Sequence, residues 1–317
     1  PIAHTHTMQI VRVFNHLVMM MCMLMSVTTW AQAQTDGTPE PAITKIKNDL
    51  KSYGDIDLYV FKDRAAFLAI MDDTLGLENI ASPEKAFAKL PRSPFTITGR
   101  KSGKQIPSCQ IFVPANIAPQ SGNEIFAQLM RGWFGQSLTY QSSAEQTFEW
   151  LIHHEARHCM PEHYGDGDAK SHADEVDADI FAFNALSKTI KSPNGLAADI
   201  IAFRMITAAM FADASHMTGL SVKYGLTAID PQEMLTANQE IVAFRSARKL
   251  VFARARTLAT RVNPTNRELT RAVTELREEI DQGGLTPPSP LVSEILMDLD
   301  DAIAHLAPKL HQSVATR

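Results

Sequence analysis

Residues 148–183, FEWLIHHEARHCMPEHYGDGDAKSHADEVDADIFAF, hold five histidines and a dense set of carboxylates. The stretch reads as two helices around a broken loop. Ser143 with Gln146 three positions on is a capping box that opens the first helix; Pro161, Gly165 and Gly167 end it. Ser171, with Asp174 in the same relation, opens the second, which runs to the loop KSPNG. On the first helix His154 and His158 stand at i and i+4, about 40° apart around the axis at about 100° per residue, so both imidazoles leave one face. Glu155 is turned from His154 by about 100°, near that face but badly placed to ligate the same ion. On the second helix Glu175 and Asp179 again share a face.

Two imidazoles one turn apart suit a zinc ion, and a catalytic zinc takes a third protein ligand while keeping one position open. A second helix folding back across the first would return one. Glu175 and His172, about 300° apart on the same helix, are the candidates for it, His172 being the alternative ligand to the one that the resemblance below implies. Asp174 stands beside them, and His163, nine positions after His154, has little claim. His153 points about 100° away from His154 and reads as a buried or capping histidine. Arg157 reads as a surface or ion-paired side chain.

The sequence around this stretch sets the organisation. With 317 residues, 45% of them hydrophobic, the chain can bury a core, and a net charge of -5 leaves no global basic field for nucleic acid. From Met8 an arginine, an apolar run and Ala31-Gln32-Ala33 form an export signal, giving residues 1–33 as a signal peptide, with residues 1–7 as upstream translation. The run is shorter than the roughly 20 residues that span a bilayer, so no stable membrane span remains after cleavage. The mature chain is then expected to be exported, periplasmic or secreted. It keeps Cys109 and Cys159, which form either a disulfide or two buried thiols. Nothing sets an oligomeric state.

Residues 34–120 form an N-terminal α/β portion. Within it DIDLYVF is a strand, and PFTITGRKSGKQIPSCQIFVPA is a hairpin around a Gly-containing turn. Residues 121–225 are the helical core that carries the metal-site pattern, including NEIFAQLMRGWF and the strongly apolar LAADIIAFRMITAAMFADA. Residues 226–317 are a C-terminal helical extension. Its long helix starts at Asp230, Pro231 and Glu233, and two more follow over 267–282 and 292–307. The arginines and lysine between 245 and 261 alternate with apolar residues, as on an amphipathic helix with a solvated or ion-paired face. The fold class is α+β, mostly helical with a small N-terminal sheet.

HEARH (154–158) followed by EVDAD (175–179) resembles the gluzincin group of zinc metallopeptidases. The resemblance implies a zincin-like domain and one Zn2+ held by His154, His158 and Glu175. It implies Glu155 as general base, Asp179 hydrogen-bonding a ligand histidine, and a peptide or protein substrate. Such families supply an oxyanion donor from outside the motif, for which Tyr164, His216 and Tyr224 are the candidates. Two other readings compete. EARH could be half of a di-iron carboxylate bundle, but no second ExxH exists in the mature chain, Asp213 to His216 being the nearest imitation. A non-catalytic helical envelope scaffold or binding protein is the other.

Overall fold

Residues 40–80, 82–83, 93–99, 101–115, 138–163, 168–210, 213–227 and 235–315 are described by the computed structural model. The export signal, the segment NEIFAQLMRGWF, Tyr164 and the Asp230 to Glu233 cap lie outside them. Two units are formed, residues 1–121 with 151–161 and residues 122–150 with 162–317. The architecture is mostly helical with one small sheet, an α+β arrangement.

In the first unit, α1 (Glu40–Leu50) leads into β1 (Ile56–Phe61), α2 (Arg64–Thr74), β2 (Phe95–Thr98) and β3 (Cys109–Pro114). The hairpin read from the sequence is present: β2 pairs antiparallel with β3, and β1 lies parallel to β3 on its other side, giving the order β1-β3-β2. A parallel pair needs a crossover connection, and between β1 and β3 the chain passes through α2 and β2. Asp63 caps α2 by accepting the Ala66 N–H at 2.8 Å. All six residues of the central β3 are buried, as a strand covered on both faces requires. Phe61, Phe67, Met71, Leu75, Ile97 and Phe112 make the core, with Phe95 stacked on Phe112 at 5.2 Å. The hairpin loop turns at Gly103, whose φ of 80° favours glycine. Gln110 ties that loop down by donating to the carbonyls of Gly99 and Pro107.

Cys109 and Cys159 are bridged, with Cα atoms 5.6 Å apart. The disulfide joins the first residue of β3 to the segment just after HEARH. It spans 50 residues, so on chain-entropy grounds its removal in Cys109→Ala/Cys159→Ala is expected to cost about 4 kcal/mol in a urea melt.

The helix carrying HEARH is α3 (Ala144–Arg157). Its cap is the reciprocal pair read from the sequence, Gln146 N–H to Ser143 Oγ at 3.1 Å and Ser143 N–H to Gln146 Oε1 at 2.8 Å. The second unit continues with α4 (Asp168–Ser187), α5 (Pro193–Met210), α6 (Gly219–Thr227), α7 (Ala237–Leu258), α8 (Asn266–Asp281), α9 (Pro290–Leu306) and α10 (Pro308–Ala315). α4 starts at Asp168 rather than Ser171, so the Ser171/Asp174 pair lies inside the helix and is not its cap. Likewise α7 is opened by Thr236, which forms a capping box with Gln239, and not by Asp230. The two helices expected after it appear within two residues of their expected bounds.

α5 is the buried centre of this unit, with fourteen of its residues buried, as its near-continuous apolar sequence implies. Gly219 lets α6 lie against it: a Cβ there would sit 2.4 Å from Met205 Sδ and 3.0 Å from Met205 Cα. Asp199 of α5, wholly buried, accepts the N–H groups of Gln141 and Ser142, the Ser142 hydroxyl and His305 Nε2. That clamp fixes the chain just before the α3 cap, and so the start of the helix that carries the histidines. On α7, Arg254 is ion-paired with Glu275 and Glu279, while Arg245, Lys249 and Arg256 face solvent. Among the described residues no helix is long and apolar enough to cross a membrane.

Candidate metal centre

HEARH falls at the C-terminal end of α3, where i→i+3 bonds from Cys159 to Ala156 and Met160 to Arg157 tighten the last turn. His158 lies just beyond the last helical residue, yet the one-turn relation persists: His154 Nε2 and His158 Nε2 are 3.2 Å apart. Four tetrahedral ligands with zinc–nitrogen bonds of about 2.0–2.1 Å have ligand atoms about 3.3 Å apart, so this separation matches one edge of such a shell. His154 is buried and His158 half-buried. Glu155 turns instead toward β2, where the Thr96 hydroxyl lies 2.8 Å from its Oε2 and 2.8 Å from its backbone carbonyl. His153 is buried with Nδ1 2.9 Å from the Tyr53 hydroxyl, away from the histidine pair.

On α4, Glu175 and Asp179 are buried one turn apart, as their spacing implies, and both meet Arg204 of α5. Arg204 donates Nε and Nη2 to the two oxygens of Asp179 at 2.6 and 2.7 Å, and its Nη2 lies 3.7 Å from Glu175 Oε2. Its guanidinium is flanked by the rings of Trp150 and Phe203 at 5.7 and 5.4 Å. The sequence reading passed over Arg204 as part of an apolar helix. The signal was available: an arginine inside such a helix must bury its charge against a carboxylate. Arg204→Met leaves Asp179 buried without that partner and is expected to destabilise the metal-free protein by about 3–5 kcal/mol in denaturant melts.

His216, in a short turn ahead of α6, brings Nε2 to 3.7 Å from Glu175 Oε2, while its Nδ1 is 2.7 Å from Asp213 Oδ2. Burial alone would pull the His216 pKa down, but the carboxylates of Glu175 and Asp213 outweigh it and the net shift is upward. Asp213 is held below the usual carboxylate range, burial being outweighed by the bond and charge of His216 and by two bonds from Ser215.

His154, His158 and Glu175 each present one ligand atom, and the three atoms lie within 4.8 Å of one another. This group could hold a metal ion. Its donor set, two imidazole nitrogens and a carboxylate oxygen, is one that zinc accepts while keeping a position open. The other candidates are engaged elsewhere. His172 is buried with Nε2 3.0 Å from the Met217 carbonyl and 3.1 Å from Glu240 Oε2. His163 pairs with Asp177, and Asp174 with Lys170. The Tyr224 hydroxyl donates to Glu294 at 2.6 Å. Tyr164 lies outside the described residues. Comparison with protein-family models, curated proteins and solved structures finds no match.

Proposed function

We propose that this chain is an exported zinc-dependent metallopeptidase of the gluzincin type, with His154, His158 and Glu175 as the zinc ligands. The observation that carries the proposal is the convergence of these three ligand atoms beside a glutamate, Glu155, that is turned out of the group. A zinc ion held by three protein ligands acts as a Lewis acid on a carbonyl and lowers the pKa of water toward neutrality. Glu155 accepts a proton from the water that attacks the peptide carbonyl and passes it to the departing amine. Asp179, gripped by Arg204 through both oxygens, would accept an N–H from a ligand histidine and hold its ring orientation and tautomer.

His216 is the best-supported donor to the oxygen on which charge develops. Asp213 anchors its Nδ1, so Nε2 is aimed at the neighbourhood of Glu175, whereas Tyr224 is committed to Glu294. Arg204 sets a guanidinium nitrogen 3.7 Å from Glu175 Oε2, a cation beside the carboxylate that would ligate. The Cys109–Cys159 bridge supports an oxidising compartment, periplasmic or extracellular, together with the export pattern of residues 8–33.

The test is elemental analysis of the purified protein paired with a peptide-library digest. About one zinc per chain, and cleavage that a chelator stops and zinc restores, are expected. A protein without stoichiometric metal and without cleavage supports the helical scaffold reading instead.

A further inference from the structure

We infer that Thr96 is the positioning residue for Glu155, its hydroxyl holding the Glu155 carboxyl against β2. The inference rests on the peptidase reading above for its catalytic consequence, and on strand geometry for the contact itself. Ile97 is buried in the core of the sheet, so by strand alternation its neighbour Thr96 projects from the opposite face. There its hydroxyl reaches the end of α3. The register is held covalently: Thr98 pairs with Cys109 across the sheet, and Cys109 is bridged to Cys159, one helical turn beyond Glu155.

The Thr96 hydroxyl has one hydrogen and faces two acceptors, Glu155 Oε2 and the Glu155 carbonyl, each at 2.8 Å. The carbonyl is one of the last four of α3, and the Cys159 N–H that would continue the ladder to it turns to Ala156 instead. The one hydroxyl thus ties the Glu155 side chain and the end of α3 to the same point of β2. Serine retains the hydroxyl and valine, nearly equal in shape to threonine, removes it.

The experiment compares wild type, Thr96→Val and Thr96→Ser for zinc content, kcat and KM on a peptide cleaved by wild type. It adds melting temperatures of the metal-free wild type, Thr96→Val, Glu155→Ala and the double variant. Thr96→Val is expected to keep its zinc and KM but lose about 10- to 100-fold in kcat, the cost of a misplaced catalytic group, with Thr96→Ser near wild type. The melting shift from Thr96→Val is expected to shrink once Glu155 is alanine, because the two side chains are coupled. Wild-type kcat in Thr96→Val, an equal loss in Thr96→Ser, or strictly additive melting shifts each overturn the inference. A wild type that binds zinc and cleaves nothing overturns the peptidase reading, and the melting cycle still decides whether Thr96 holds the Glu155 carboxyl.

Discussion

Glu155→Gln is expected to retain about one zinc per chain and to lose about 10²- to 10⁴-fold in kcat, the range that general acid–base catalysis supplies. Glutamine keeps the length of the side chain and an oxygen that can accept from Thr96, so the local hydrogen bonding survives. What it cannot do is take a proton. The variant therefore separates metal binding from proton transfer, and zinc content with kcat on the same preparation reads both. A Glu155→Gln protein that cleaves like wild type would remove Glu155 from the mechanism while leaving the metal group intact.

Glu175→Ala is expected to lose the metal. Partners of ligands cost about 10- to 100-fold in affinity when removed, so deletion of a ligand should exceed about 100-fold, read by competition with a chromogenic chelator. His172→Ala supplies the contrast. Its imidazole is spent on Glu240 and the Met217 carbonyl, so zinc affinity should stay at the wild-type value although the protein becomes less stable. If Glu175→Ala holds its zinc and His172→Ala does not, the third ligand is His172. Glu175→Ala also removes a carboxylate from Arg204, which Asp179 continues to pair.

The parts of this molecule legible from sequence are those governed by nearby residues. The hairpin formed by β2 and β3 was announced by two β-prone runs around a glycine turn, and the α3 cap by Ser143 and Gln146. The misplaced starts have a local cause too. Ser171 and Asp174 fit a capping pattern, but continuing the helix back to Asp168 keeps more backbone groups bonded; Thr236 with Gln239 is a cap that the Asp230-Pro231 pattern overshadowed. The disulfide stood open between two states because cysteine spacing carries no distance, and the fold supplies it by bringing the two Cα atoms to 5.6 Å.

The amino-acid order alone determined that His154 and His158 share one helical face and that Glu175 and Asp179 share another, because 3.6 residues per turn set angles within a helix whatever surrounds it. Tertiary structure alone decided that Arg204 lies between two carboxylates and that Thr96 meets Glu155 across 59 residues. Those choices depend on how each element is rotated and docked against its neighbours. That is settled by burial of apolar faces and pairing of buried charge over the whole chain, and no local pattern encodes it.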